Sequence, residues 1–239
     1  MFSVTYPIKY NDLDKNMVLK PSALFEFLED IAAQNANELQ FGYDNIYSKN
    51  YGWFLLKYAI EFTEYPQKIS ALKLETQSRG ANKLFAFRDF YIYGDNDKLL
   101  GKVASTWALV DLTNKKMLNP LETLNDNITV YEKQETDLTY NKIPNISYLD
   151  TQKTIKVEYY DIDVNNHVNN ANYIKWALET LPIEYLADKR IKRIDINYKK
   201  DITIGEEIIS QTSIIKDTTV HYLRSTKTND LLCSILIKW

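Results

Sequence analysis

Apolar and polar positions follow the same order of patterns twice along the chain. Apolar residues first recur at spacings of three and four, over residues 24–32 and again over 173–181, which predicts an amphipathic helix in each place. Alternating apolar and polar residues follow each helix, beginning at residues 54–62 and 194–198, and this period of two predicts β-strands with one buried face. Each half is therefore predicted to contain a short first strand, one helix and about four antiparallel strands.

A polar turn precedes each predicted helix, and the two turns align at one constant offset. Short Asp and Asn side chains compete with the backbone for hydrogen bonds, so they favour turns and helix caps. The second copy carries His167, whereas Met17 and Val18 fill that region of the first copy. We therefore interpret the first copy as a structural cap and not as a second active site. The aligned residues are Asp12, Asp14 and Asn16 in the first copy and Asp161, Asp163 and Asn165 in the second.

The predicted fold class is α+β, with two tandem hotdog units. A helix with one apolar stripe needs a surface that buries it, and an antiparallel sheet wrapped around the helix provides one. The predicted boundaries are residues 1–135 for an N-terminal unit, 136–152 for a linker and 153–239 for a C-terminal unit. Two units in one chain would pair their sheets edge to edge without a partner chain, and a homodimer of the whole chain is left open.

Composition and charge exclude several classes of protein. The chain has 239 residues, 45% hydrophobic and 26% charged, which fits one large or two ordinary globular domains. Its net charge of −3 argues against general nucleic-acid binding, which depends on Lys and Arg. It has no apolar run of the roughly 20 residues that a membrane span needs and no signal-peptide pattern, so we expect a cytoplasmic protein. One cysteine and two histidines predict neither a disulfide nor a metal, and no cofactor is expected.

The segment from Asp161 to Pro182 contains a specific pattern, DxDxNxHVNN followed by Tyr-Ile-x-Trp on the second helix. This pattern resembles the signature of the acyl-ACP thioesterases, the plant plastid enzymes and their bacterial relatives. Features of the first half resemble the same family, so the resemblance covers nearly the whole chain. Those features are Trp53, Tyr65-Pro66, Arg88-Asp89-Phe90, Ser105, Trp107 and Asp111.

The resemblance implies an enzyme that hydrolyses the thioester between a fatty acyl chain and acyl carrier protein. The products would be a free fatty acid and holo-ACP, which ends chain elongation. The functional residues it implies are Asp163, Asn165 and His167 of the second turn and Asp201 after the next strand. Asp201 departs from the family pattern, which has Glu there, and Ile202 stands where Cys is usual. A cysteine nucleophile is therefore not available at that place.

Hydrolysis of a thioester needs a positioned water, a base and donors for the oxyanion. We expect Asp201 to act as the base, alone or with His167. Asp163 would orient the imidazole or stabilise its charged form, and Asn165 would hold the water or the carbonyl. The predicted oxyanion donors are backbone N–H groups at the positive end of the second helix. These N–H groups belong to Asn169, Asn170 and Ala171.

The resemblance also implies an apolar tunnel for the acyl chain in the first unit and a docking face for acyl carrier protein. The carrier is acidic, so its docking face should be basic. The candidates for the tunnel lining are Phe25, Phe27, Leu28, Phe54, Leu56 and Tyr58. The candidates for the docking face are Lys189, Arg190, Lys192, Arg193, Lys199 and Lys200.

Three other functions remain open at this point. An acyl-CoA thioesterase would use the same residues on a different carrier. Hotdog units also bind acyl ligands without cleaving them. A hotdog hydratase fits less well, because such enzymes place their Asp and His differently from the HVNN turn.

Overall fold

One antiparallel sheet dominates the computed structural model, which describes residues 1–135, 137–145 and 148–239. Residues 136, 146 and 147 of the predicted linker lie outside the described residues. The strands of the first half are β1 (Phe2–Pro7), β2 (Tyr51–Phe62), β3 (Ala71–Ala81), β4 (Ala86–Tyr93), β5 (Leu99–Asp111) and the short β6 (Lys116–Met117). Those of the second half are β7 (Thr151–Lys156), β8 (Arg193–Tyr198), β9 (Glu207–Ile215), β10 (Thr218–Ser225) and β11 (Leu231–Lys238).

The strands run across the sheet in the order β1-β3-β4-β5-β2-β8-β11-β10-β9-β7, with β6 beside β5. The two halves thus lie side by side with mirrored strand orders, and β2 and β8 form the seam between them. The helices are α1 (Pro21–Glu38), α2 (Tyr43–Ile46), α3 (Pro120–Leu124), α4 (Asn170–Leu178) and α5 (Ile183–Asp188). Each half therefore has the predicted order of one strand, one main helix and four strands, and the tandem hotdog prediction is confirmed. The exact unit boundaries stay a prediction.

The two main helices pack against each other and against the sheet. Helix α1 begins with Pro21, whose missing N–H costs nothing in the first turn, and it buries Leu24, Leu28 and Ile31 completely. In α4 the N-cap is Asn169, whose side-chain oxygen accepts a hydrogen bond from the Ala171 N–H. None of the helices in the described part of the chain has the length and apolar character that a membrane crossing requires.

The two polar turns have the same backbone hydrogen bonds. Asp14 Oδ1 accepts the Asn16 and Val18 N–H groups at 2.8 and 2.9 Å, and Asp163 Oδ1 accepts those of Asn165 and His167 at 2.8 and 3.4 Å. The segment after the seam strand also repeats. Leu19 N–H donates to the Pro66 carbonyl, and Val168 N–H donates to the Ile202 carbonyl. By these bonds Tyr65 occupies in the first half the position that Asp201 occupies in the second.

A β-bulge in β2 changes which of its side chains face the core. The pairing of β2 with β5 shifts between Leu55 and Lys57, so Leu56 is an extra residue in the strand. Side chains alternate along a strand, and one extra residue moves the following residues to the other face. Phe54 and Tyr58 therefore point to opposite faces, although their spacing in the sequence predicts the same one.

A buried ionic network joins the two halves at the seam. Arg193 on β8 donates to Asp195 through Nε at 2.8 Å and to Glu61 on β2 through Nη1 at 2.7 Å. It also donates to the Thr139 carbonyl. Asn141 donates its backbone and side-chain N–H groups to the same Asp195 carboxylate, both at 2.9 Å. The network thereby fixes the connecting segment across the seam.

Removing the guanidinium of this network should destabilise the protein strongly. In Arg193→Ala the carboxylate of Asp195, which is 2% exposed, loses its cation, and breaking a buried pair in this way costs about 3 kcal/mol. Urea unfolding monitored by circular dichroism measures the loss. Lys192→Ala, one residue away and exposed, is the control. A loss for Arg193→Ala no larger than that of the control would contradict the structural role of the network.

Candidate active site

The second polar turn holds its functional side chains through Asp163. Besides the two backbone N–H groups, its carboxylate receives the Asn165 side-chain amide at 3.4 Å. In the described structure its contacts with His167 are to the backbone and not to the imidazole. Asp163 therefore sets the shape of the turn, and the acidic partner of the imidazole is a different residue.

That partner is Asp201, which follows the seam strand β8. Nε2 of His167 lies 3.8 Å from Asp201 Oδ2, a distance suited to an ion pair and longer than a direct hydrogen bond. The hydrogen bond from Val168 N–H to the Ile202 carbonyl, at 2.9 Å, ties together the residues that follow the pair. Because polar groups at this distance can share a bridging water, the two can hold one water molecule at the opening of the site.

Partial burial alters the pKa of Asp201. Desolvation raises the pKa of Asp201, and the nearby charge of Asp163 raises it further, whereas His167 and Lys115 lower it. The ring of Phe54 covers one side of the imidazole, with a distance of 5.6 Å between ring centroids. The pair is thus reachable from solvent on one side and shielded by an aromatic ring on the other.

The start of α4 offers one free backbone donor. Of the three N–H groups predicted to bind an oxyanion, that of Asn169 already donates to the Asp161 carbonyl at 2.9 Å. That of Ala171 donates to the Asn169 side chain at 2.8 Å. Among the described residues, only Asn170 N–H of these three lacks an acceptor. The oxyanion role predicted for Asn169 and Ala171 therefore does not fit the structure, because their N–H groups are already in use.

Two adjacent cavities lie beside the turn. The smaller, about 100 Å³, contains His167, Asp201 and Phe54 in its wall. The larger, about 270 Å³, extends into the first half. Asp163, Asn165, Asn170 and Trp53 line both cavities and so form the wall that they share. The apolar lining of the larger cavity is formed mainly by Ala32, Ala33, Ala36, Phe41, Trp53, Trp107 and Ile128.

Several residues predicted to line an acyl tunnel lie elsewhere. Phe25, Leu28 and Tyr58 are fully buried in the core that both halves share. Phe27 is partly buried and stacks on Tyr6 outside the two cavities. Phe54 and Leu56 line the small cavity beside the histidine. Helix α1 faces the large cavity with its alanines and not with Phe25 or Leu28. The bulge in β2 places Phe54 and Tyr58 on opposite faces, so the predicted lining does not coincide with the wall of the large cavity.

The predicted basic residues do not form one surface. Arg193 is buried and neutralised in the seam network, so its predicted docking role is wrong. Lys192 lies at the opposite end of β8 from Lys199. Lys189 and Arg190 line a separate groove beside the first turn. The two cations that line the small cavity are Lys199 and Lys200, the latter paired with Asp230 at 2.7 Å.

One acidic residue of the site, Glu29 on α1, was missed by the sequence analysis. It lines the large cavity with Asp163, Asn165 and Asn170, and its Oε2 lies 3.3 Å from the Asn169 side-chain nitrogen. The helical spacing of the sequence does indicate this residue. Glu29 is four residues after Phe25 and therefore lies on the buried stripe of α1.

The other histidine has a structural environment. His221 on β10 is fully buried between two threonines, with Nδ1 2.7 Å from Thr212 Oγ1 and Nε2 2.9 Å from Thr219 Oγ1. Burial lowers its pKa to about 3, so it is neutral near pH 7.

Comparison with protein families matches both halves of the chain. Residues 1–128 match the model of the acyl-ACP thioesterase N-terminal domain, and residues 146–239 match that of the acyl-ACP thioesterase C-terminal domain. The two matches leave out residues 129–145, which lie between β6 and β7.

Curated relatives and solved structures agree with these matches. The oleoyl-acyl carrier protein thioesterase of Coriandrum sativum is 24% identical over 70% of this chain and 49% of its own length. That of Arabidopsis thaliana, oleoyl-acyl carrier protein thioesterase 1, is 20% identical over 87% of this chain and 62% of its length. The chain thus spans about half to three fifths of these relatives. The crystal structure of an acyl-ACP thioesterase from Bacteroides thetaiotaomicron superposes with a TM-score of 0.86 at 23% identity, covering 99% of this chain and 96% of that one.

The contact between His167 and Asp201 predicts a measurable change in acidity. In His167→Ala the pKa of Asp201 should rise, because the cation that lowers it is gone while desolvation and Asp163 still raise it. A pH titration followed by carboxyl ¹³C NMR measures this change. Val18→Ala, the same position in the first turn, should leave Asp201 unaffected. An unchanged pKa in His167→Ala would show that the two side chains do not interact in solution.

Proposed function

The chain belongs to the acyl-ACP thioesterase family, and from that premise we propose that it hydrolyses the thioester bond between a fatty acyl chain and acyl carrier protein. The products are a free fatty acid and holo-ACP, so the reaction ends elongation of the chain. The observation that carries the proposal is the position of His167 and Asp201 in a cavity of about 100 Å³ that shares a wall with a more apolar cavity of about 270 Å³.

The cavity supports an acyl substrate. The apolar part of its wall consists largely of alanine and aromatic side chains, which match the hydrocarbon chain of a fatty acid. A chain lying there places its carbonyl carbon at the shared wall, beside Asn165 and Asn170. The carbonyl oxygen would then face Asn170 N–H at the positive end of α4, where developing negative charge is stabilised.

Water attack completes the reaction. Asp201, through or together with His167, removes a proton from the water as its oxygen bonds to the carbonyl carbon. The carbon–sulfur bond then breaks, and the proton returns to the departing thiolate. Asn165 holds the water or the carbonyl through its side-chain amide. Asp163 shapes the turn that presents these groups, a role supported by its hydrogen bonds to two backbone N–H groups.

The direct test is to incubate the purified protein with acyl-ACPs of graded chain length and identify the fatty acid released. We expect hydrolysis of carrier-bound substrate at a higher kcat/KM than of the CoA thioester with the same acyl group. Binding without release would instead indicate an acyl-binding protein. A higher kcat/KM for the CoA thioester would identify an acyl-CoA thioesterase.

Loss of either member of the pair should lower the rate of hydrolysis. His167→Ala and Asp201→Asn are each expected to reduce kcat by about 10²–10⁴, the usual contribution of a general base. The control is Tyr65→Phe, which changes the position that corresponds to Asp201 in the first half and removes a hydroxyl without a hydrogen-bond partner. If His167→Ala hydrolyses the substrate at nearly the wild-type rate while Asp201→Asn does not, the histidine only positions other groups and does not act as a base.

The proposed carrier gives a prediction for the exposed lysine beside the site. Lys199 lines the small cavity and is exposed to solvent. Lys199→Glu should reduce kcat/KM for acyl-ACP by about tenfold at low salt, since charge complementarity mainly accelerates association. The loss should shrink as salt rises and be absent with a short acyl thioester of an uncharged thiol. Lys192→Glu, at the far end of β8, is the control. Equal effects on both substrates would argue against carrier docking there.

A further inference from the structure

Glu29 connects the helix of the first half to the start of the helix in the second half. It lies in the middle of α1, yet its side chain reaches the N-cap of α4, where Oε2 lies 3.3 Å from Asn169 Nδ2. The other end of that amide, Asn169 Oδ1, accepts the Ala171 N–H at 2.8 Å. Glu29 therefore determines which way the Asn169 amide points, and with it the geometry of the first turn of α4.

The second oxygen of this carboxyl is buried without a partner. Glu29 Oε1 is inaccessible to solvent and has no hydrogen-bond partner in the described structure. The hydroxyl of Tyr58 on β2 is also buried without a partner, and the charge of Glu29 raises the pKa of Tyr58. An ionised carboxylate left in this way loses its hydration, whereas a protonated one carries a proton that it can donate.

The charged and polar groups around Glu29 come from every element packed on it. Desolvation is the main cause that raises its pKa, to about 7, and the charges of Asp163 and Glu26 also raise it. The side-chain amides of Asn170 and Asn169 act in the opposite direction.

Three further groups lie on the sheet side. Tyr58 on β2 and Tyr198 on β8 are close enough to the Glu29 carboxyl for its charge to raise their pKa, in addition to the larger effect of desolvation. Arg88 on β4 lines the same cavity, but its hydrogen bonds go to Asn35 and Thr76, at 2.7 and 3.1 Å. In the described structure the Glu29 carboxyl thus has no ion-pair partner that would hold it in its charged form.

We propose that Glu29 is a positioning residue for thioester hydrolysis, holding Asn169 so that the free N–H of Asn170 faces the reacting carbonyl, and that it acts in its neutral form. This inference rests on the proposed function. A carboxylate beside the oxyanion would repel the charge that develops there, since like charges close together in a poorly solvated site oppose each other. A protonated Glu29 removes that repulsion and still accepts the amide of Asn169 through its carbonyl oxygen.

The test compares Glu29→Gln with the wild type over pH 5.5–9, by measuring kcat/KM for an acyl-ACP that the wild type hydrolyses. The wild-type value should fall about tenfold per pH unit above about 7, where Glu29 ionises. Glu29→Gln is always neutral, so its activity near pH 6 should be within about threefold of the wild type and should persist to high pH. Glu38→Gln makes the same change at the exposed C-terminal end of α1, outside both cavities, and should keep the wild-type profile. If kcat/KM of Glu29→Gln falls above pH 7 as steeply as that of the wild type, the proposal is overturned.

A second variant and an independent readout distinguish failure of the role proposed for Glu29 from failure of the proposed function, thioester hydrolysis. Glu29→Leu should lower kcat about a hundredfold with little change in KM, because a misplaced donor affects the transition state more than substrate binding. If this variant does not fold, the pH profile of Glu29→Gln still decides the outcome.

The side-chain amide signals of Asn169, followed by ¹⁵N NMR without substrate, should titrate with a midpoint of about 7 in the wild type and not in Glu29→Gln. Titration together with a lack of acyl-ACP hydrolysis would refute the proposed function but not the contact. Hydrolysis without this titration would refute the role of Glu29.

Discussion

The pairing of β2 with β8 is the constraint on which the rest of the structure depends. It aligns Tyr58 with Ile196 and Glu61 with Arg193, so two separate sheets become one. Because each helix packs on its own half of the sheet, this pairing also sets the distance between α1 and α4. The cavity wall contains residues from both halves, and a shift of register at the seam would separate them.

The two halves share their strand order and the backbone of their polar turns, and they differ in the side chains at the positions of the site. Identical hydrogen bonds shape both turns, but Val18 stands where the second turn has His167, and Tyr65 stands where it has Asp201. The difference extends to the helices, since Leu178 of α4 aligns with Glu29 of α1 at the same offset. The second half supplies the turn that we propose to be reactive, and the first half supplies most of the wall of the large cavity and the Glu29 carboxyl that contacts α4. One site is therefore built from complementary halves of a duplicated unit.

Local patterns predicted the parts of the structure that local interactions determine. The two helical stripes and the strand alternation follow from periodicity, and they agree with the structure. The lining of the cavity did not follow, because one extra residue at Leu56 reverses the faces of a strand. Arg193 appeared to be a surface cation because its partner Glu61 lies in the other half of the sequence. Glu29 lies on the buried stripe of α1, but its role depends on a contact with α4 that the sequence does not show.

Joining the two units in one chain has a consequence for how the site can vary. In a symmetric dimer of identical subunits every substitution appears twice. A buried acid that is useful in one pocket is then also present in the second pocket, where it can be destabilising. Here Glu29 has an apolar counterpart, Leu178, and neither residue constrains the other. In a fused chain the two pockets can therefore differ in sequence. An amino acid that would be harmful if it occurred in both pockets can be tolerated when it occurs in one.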